Sequence, residues 1–382
     1  MRIGFDAIRA LRNTTGLGNY ARGVLRGLHT MAPQHALHLY SPKPPENQFR
    51  DLPAELDAGL HLPEDSGRPL ARATWRTFRL GRAVARDRIA LYHGLTHEIP
   101  RDLPKTGIPS VVTFADLIYE RHPGYFTRFD RWSYRWRYRW SARHATAIVA
   151  ISDQTRKDLI ERYRIEENRI AVVPPARDPA FSEVVSGAAR AAAQAKYDLP
   201  PEYLLSVGTL EPRKNQRILL QAIAALRESE ALRLVLVGRD GGSLNELHAL
   251  RRQLGLGHRV VIRTDVTAAD LPAVMQNAAV FLYPSIAEGF GMPIVEALSA
   301  GVPVIAAAGG CLVEAGGPGS RYVAARDAGQ WAAVIADLAP DSAALAQMRT
   351  TGLEYAREFD SARVAARLLG VYDAVMANAA IS

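Results

Sequence analysis

Two doubly wound α/β domains are predicted for this 382-residue chain, and three features predict them. Short runs rich in β-branched and aromatic residues alternate with segments whose apolar residues recur at helical spacing, in two successive blocks. Glycine-rich or basic loops repeatedly follow the strand-like runs, where open parallel sheets bind ligands. Between the blocks, the small-residue run from Ser186 to Ala195 and the Asp198-Leu-Pro-Pro201 segment mark a connection. The expected division is residues 1–185, residues 186–358, and a terminal helix over 359–382.

Charge and composition narrow the function classes. Lys plus Arg exceed Asp plus Glu by 47 to 39, a net +8, which favours nucleotide phosphates, acidic lipid headgroups or nucleic acid without choosing among them. Cys311 is the only cysteine, so an intrachain disulfide and a cysteine metal cluster are excluded. The first residues lack the apolar core of a signal peptide, and no apolar run approaches the ~18 residues of a membrane span. A cytoplasmic protein, soluble or peripheral at the inner face of the membrane, is expected.

In the first block, Arg2 to Asp6 reads as a strand, and Leu17, Tyr20, Ala21, Val24, Leu25 and Leu28 form one stripe of the next helix. The glycine-rich turn between them carries Gly16 and Gly18, either a plain turn or a loop whose amides approach a phosphate or an acceptor sugar. Strands follow at Ala36 to Tyr40 and Gly59 to Leu62, separated by a Pro-rich surface loop. Ile89 to Glu98 runs from a strand into a polar loop, which places His93, His97 and Glu98 at a strand's carboxyl end. Each histidine there faces a ligand or bonds to neighbouring backbone. Pro109 to Ile118 is a further strand whose exit carries Ala115 and Asp116.

Tyr125 to His144 has the most unusual composition. Trp132, Trp136 and Trp140 recur every fourth residue with Arg131, Arg135, Arg137, Arg139 and Arg143 interleaved. Three readings compete: a core-facing aromatic stripe with solvated arginines, a peripheral membrane contact over 128–143, or a nucleic-acid surface. The last ranks lowest, because no nucleic-acid motif accompanies it. The block closes with a strand and a serine-capped helix from Thr146, then Ile170 to Val173.

The second block opens with strand Tyr203 to Val207, then Gly208-Thr-Leu-Glu-Pro-Arg-Lys-Asn215, then a helix from Ile218 to Leu226. Arg213 offers a planar fork and Lys214 a point charge, two ways to neutralise a diphosphate. Strands at Leu232 to Gly238 and Arg259 to Arg263 follow, and the Thr264-Asp-Val266 loop leads into a helix over Ala268 to Asn277. Ala279 to Tyr283 is a buried strand that Pro284 ends. Gly289 and Gly291 then allow a tight turn, and Pro293 suits the first turn of a helix, so the amides at Phe290, Gly291 and Met292 can meet an anion. Glu288 and Glu296, eight positions apart, flank that concavity and can accept hydrogen bonds from vicinal hydroxyls of a hexose and a ribose.

The run Glu288-Gly-Phe-Gly-Met-Pro-Ile-Val-Glu296, followed by Gly301-Val-Pro-Val304, resembles the E-x7-E motif of family 4 retaining glycosyltransferases of the GT-B fold. Glu211-Pro-Arg-Lys-Asn215 is also typical of that family, with the look of a mannosyltransferase-like subgroup. The resemblance implies two Rossmann-like domains facing a cleft, with the terminal helix crossing back to the first. It implies transfer of a hexose from a nucleoside-diphosphate sugar, GDP-mannose first and a UDP-sugar second. The acceptor would be a glycan or lipid-linked glycan in cell-surface polysaccharide synthesis. Neither a metal nor another cofactor is required, and nucleic acid is not a partner.

Carried onto this chain, the resemblance gives Gly208, Arg213, Lys214 and the amides at Phe290 to Met292 to the diphosphate. Glu288 falls to the transferred sugar, Glu296 to the ribose and the Val266 backbone to the base. His93, His97 and Asp116 fall to the reacting-sugar side, and Gly16 and Gly18 to the loop of the first domain. One position departs. Ala115 stands where relatives carry a histidine, which implies a variant site completed by His93 or His97, an impaired enzyme, or a substitution. A GT-B epimerase and a non-catalytic sugar-nucleotide binder would use the same donor site.

Overall fold

The computed structural model describes residues 1–64, 69–226, 233–338 and 343–379, with side chains omitted over 69–73. The chain divides into two compact units, Met1–Ala176 with the stretch from Phe359 onward, and Arg177–Glu358.

Seven parallel strands form the first sheet: β1 (Arg2–Asp6), β2 (Ala36–Tyr40), β3 (Gly59–His61), β4 (Leu91–Gly94), β5 (Ser110–Phe114), β6 (Ala147–Ala150) and β7 (Ile170–Val172). Their order is β3-β2-β1-β4-β5-β6-β7. Helices cover both faces, so its central strands are apolar on both sides; all five residues of β5 are buried. Alternate residues feed opposite cores: Val111 joins Ile3, Phe5, Leu25 and Leu28, while Val112 and Phe114 join Tyr92, Ile148 and Tyr163.

The helix Ser361–Ala379 adds Val364, Leu368, Tyr372 and Val375 to the first of these cores. It lies against the Gly16–Met31 helix, and a Cβ on Gly27 would come within 3.0 Å of Ser361 Oγ. The helix is therefore an integral part of the first unit.

The second sheet holds β8 (Tyr203–Val207), β9 (Arg233–Val237), β10 (Val260–Arg263), β11 (Ala278–Tyr283), β12 (Val304–Ala307) and β13 (Arg321–Val323). All pairs are parallel, in the order β10-β9-β8-β11-β12-β13. Winding reverses between β8 and β11, so the loops leaving those two strands meet at the carboxyl edge. Leu232, expected to start the second strand, lies outside the described residues.

The division between units falls ahead of the expected Ser186, after Ala176. Residues 177–185 go with the second unit because Gln276 ties them down. Its side chain donates to Glu183 O (2.7 Å) and accepts from Val185 N (3.0 Å).

Candidate functional site

Strand β8 exits into Gly208 and then a short 3-10 turn, Pro212–Lys214, closed by Asn215 in the left-handed region (φ 57°). Asn215 is held there because its amide donates to Pro284 O (3.2 Å) and Ala325 O (2.7 Å). Close approach fixes the neighbouring loop too: a Cβ on Gly238 would lie 1.9 Å from Gly208 O. From the other side of the reversal, β11 delivers Tyr283 and the loop Pro284 to Gly291. Ile286 N donates to Arg213 O (2.9 Å), which pins this loop against the basic turn.

Glu288 is the hub. Its Oε1 accepts from Lys214 Nζ (2.5 Å), Ser285 Oγ (2.7 Å) and Tyr283 OH (2.8 Å), and its Oε2 accepts from Arg213 Nη1 (3.1 Å). Burial pushes this carboxyl upward, but Lys214 and Arg213 outweigh burial and hold it down at about 2. Glu288 is therefore a carboxylate at any physiological pH. With roughly four lone-pair positions in all, it has capacity left only at Oε2.

Arg213 also donates to Ala287 O (2.9 Å) and pairs with Glu211 (2.7 Å). Burial lowers its affinity for the proton, yet Glu288 and Glu211 raise it overall. Two cations thus stand beside two carboxylates, and backbone amides add to the attraction that Arg213 and Lys214 hold for an anion. Those amides lie at the start of the Met292–Ser299 helix, where Gly291 caps with φ 118°.

Glu296 differs from Glu288. It is partly buried on the same helix, and its carboxyl forms no hydrogen bond or ion pair among the described residues. Burial, with Asp178 adding repulsion, raises it to about 7. A carboxyl with no partner of its own, one turn into that helix, is equipped to accept ligand hydroxyls.

The expected donor-side residues are thus brought to one edge: Gly208, Arg213, Lys214, Glu288, Phe290, Gly291, Met292 and Glu296. Val266 lies on the loop after β10 at that edge, and the helix following it is Leu271–Gln276 rather than Ala268 to Asn277. Sequence reading missed Tyr283, Ser285 and Glu211. Ser285 and Glu288 have the Ser-x-x-Glu spacing of a local side-chain pair, a signal present in the sequence.

Several first-unit expectations are corrected. Gly16 and Gly18 lie in a helix, not in a glycine turn, because Asn13 Oδ1 accepts from Thr15 N (2.7 Å) and the helix starts at Gly16. Gly18 is required sterically: a Cβ there would meet Asn13 O at 1.9 Å. His93 is fully buried, with one ring nitrogen on Tyr372 OH (2.6 Å) and the other on Thr113 Oγ1 (2.9 Å). Burial lowers it to about 3, so it is a neutral packing group with no nitrogen left for a ligand. His97 adopts φ 62° and stacks on Tyr138 at 4.5 Å. Its Nε2 accepts from the amides of Ala115 (3.2 Å) and Asp116 (3.4 Å), so it serves the loop that carries them. Asp116 Oδ1 accepts from Ile118 N (3.0 Å). Ala115 is buried, and its carbonyl accepts from Thr155 Oγ1 (3.3 Å). His93 therefore has no nitrogen to replace the missing one, whereas His97 commits only its Nε2.

The tryptophan stripe is also corrected. Tyr134, Tyr138, Trp140 and Ala142 pack inward from the Arg128–His144 helix, while Trp132 and Trp136 are 65% and 49% exposed.

Residues 14–181 match the family described as Glycosyltransferase Family 4, and residues 190–356 match Glycosyl transferases group 1. The two matches run over nearly the whole chain. Each half of the chain thus resembles a family of glycosyltransferases. The chain is 30% identical to a D-inositol 3-phosphate glycosyltransferase of Stackebrandtia nassauensis, over 62% of this chain and 56% of that one. It is 33% identical to the O-antigen chain mannosyltransferase B of Escherichia coli, over 56% of each. The chain spans about half the length of the curated relatives it matches. Among solved structures, Anabaena HepE with UDP and glucose superposes at TM-score 0.73 with 19% identity, covering 98% of this chain and 100% of that one. Sucrose-phosphate synthase of Thermosynechococcus elongatus gives 0.74 with 18% identity, covering 99% and 100%. These two establish the GT-B fold.

Proposed function

We propose that this chain transfers a hexose from a nucleoside-diphosphate sugar, with retention at the anomeric carbon, to a glycan or lipid-linked glycan of a cell-surface polysaccharide. The observation that carries the reading is the convergence of Arg213, Lys214 and Glu288 at the β8/β11 reversal, with an uncommitted Glu296 on the helix that follows. GDP-mannose is the first donor expected and a UDP-sugar the second. The relative named as an O-antigen mannosyltransferase supports the first, and the neighbour solved with UDP and glucose supports the second.

In this reading the bond between the sugar's anomeric carbon and the diphosphate breaks, and its electron pair stays on the phosphate oxygen. The acceptor hydroxyl oxygen bonds to the same face of that carbon and gives its proton to the departing diphosphate. Arg213, Lys214 and the amides at Phe290 to Met292 stabilise the charge that gathers there, more in the transition state than before it. Glu288 Oε2 takes a hydroxyl of the transferred hexose, and Glu296 takes the ribose. No metal is required for this division of labour.

The test is release of nucleoside diphosphate from candidate donors, with and without glycan or lipid-linked acceptors, in the wild type and in Glu288→Ala. Acceptor-dependent release in the wild type alone is expected; equal release by the variant rules out the role given to Glu288. Ala115 favours one other reading, a sugar-nucleotide binder that does not turn over. Binding without release, together with a large gain of turnover in Ala115→His, would select it.

A further inference from the structure

The Arg128–His144 helix turns two unlike faces outward and inward. Inward, Tyr134 and Tyr138 stack at 5.3 Å and pack on the core. Outward, Phe129, Trp132 and Trp136, at i, i+3 and i+7, are 72%, 65% and 49% exposed. Three large rings bared on one stripe of one helix are more than the scattered apolar residues of an ordinary surface. The flanking arginines are of two kinds. Arg135 is bound to Glu120 (2.7 Å) and Arg137 to Glu98 (2.8 Å). Arg128, Arg131, Arg139 and Arg143 form no ion pair among the described residues, and the helix's one acidic residue, Asp130, is bonded to Thr127.

We infer that this face docks on an anionic lipid surface, with Phe129, Trp132 and Trp136 entering the headgroup boundary and the unpaired arginines meeting lipid phosphates. The ring geometry favours this over nucleic acid. The Arg101 guanidinium covers one face of Trp136 at 3.6 Å and Phe129 leans on Trp132 at a tilt (6.1 Å between centroids), so the rings do not form the parallel open platform on which successive bases stack. A second copy of the chain fits poorly as well, because a two-fold contact would set these arginines against themselves. The surface does not depend on the donor-site reading: failure of sugar transfer with intact lipid binding would overturn that reading and leave this one.

The experiment is sedimentation of the full chain with phosphatidylcholine vesicles that contain or lack phosphatidylglycerol. The wild type should sediment with the anionic vesicles, less at high salt, and with a blue-shifted tryptophan emission. W132A/W136A and R128E/R143E should each partition roughly tenfold more weakly, with thermal melting unchanged since all four side chains are exposed. A wild type that ignores anionic vesicles overturns the inference, as does retention of binding by both variants. So would finding that W132A/W136A weakens binding of a single-stranded oligonucleotide, or abolishes a dimer on size exclusion, while vesicle binding stays unaltered.

Discussion

At the carboxyl edge of the second sheet, polar side chains from different loops converge on one another and keep capacity in reserve. At the corresponding edge of the first sheet they are consumed by the fold. Glu288 gathers Lys214, Arg213, Tyr283 and Ser285, yet Oε2 can still accept, and the Glu296 carboxyl on the following helix has no partner among the described residues. His93, by contrast, spends both nitrogens on Tyr372 and Thr113, and His97 spends its acceptor on the Ala115 and Asp116 amides. The lesson is that a residue at a strand's carboxyl end is a site candidate only if the fold leaves it something to offer.

The largest effect that sharpens the contrast is expected from Glu288→Ala. Sugar transfer should fall by roughly a thousandfold or more, because the hexose loses its acceptor and the two cations lose their organiser. Nucleoside-diphosphate binding should survive. With Lys214 stripped of its carboxylate and Arg213 left with Glu211 alone in a mostly buried place, GDP or UDP should raise the variant's Tm at least as much as the wild type's. A variant that transfers normally, or that no nucleotide stabilises, would break the contrast.

On the other side, His93→Ala should cost stability and spare the donor site. The cavity and the stranded hydroxyls of Tyr372 and Thr113 predict a loss of about 2–4 kcal/mol in chemical denaturation, with nucleotide affinity unchanged. The sign with pH follows from its lowered value. The unfolded imidazole takes a proton near pH 6.5 and the folded one only near 3, so this contribution is present above 6.5 and is lost as pH falls toward 3. The wild type should therefore weaken more steeply than His93→Phe across that window.

A smaller effect concerns Glu296. Raised to about 7, it favours folding below its ordinary 4.5 and loses that favour as pH rises through 7. Ligand hydroxyls prefer the carboxylate, so nucleotide affinity should rise severalfold from pH 6 to pH 8 in the wild type. Glu296→Gln should flatten the part of that slope that the phosphate's own titration does not supply. Parallel slopes in the two proteins would detach Glu296 from the ribose.

How much of this was legible in the sequence follows the same contrast. The donor-side loops announce themselves locally: glycine at the tight turns, Arg213-Lys214 together, Pro293 opening a helix, and two glutamates on either side of it. Strand and helix alternation gave both sheets for the same reason, since each rests on short-range periodicity. The first unit's polar residues were not legible because their partners lie far along the chain. Tyr372 reaches His93 from the terminal helix, and the inward face of the Arg128–His144 helix is chosen by tyrosines rather than by the more apolar tryptophans. Nor did the glycines at 16 and 18 reveal that Asn13 would start the helix early.

The central claim is that the second unit's basic turn holds the donor diphosphate. Calorimetric titration of GDP and of UDP into the wild type and Lys214→Ala tests it most directly. Saturable binding of at least one nucleotide, weakened at least about tenfold by Lys214→Ala, is the predicted result. Equal affinity in the two proteins would contradict it.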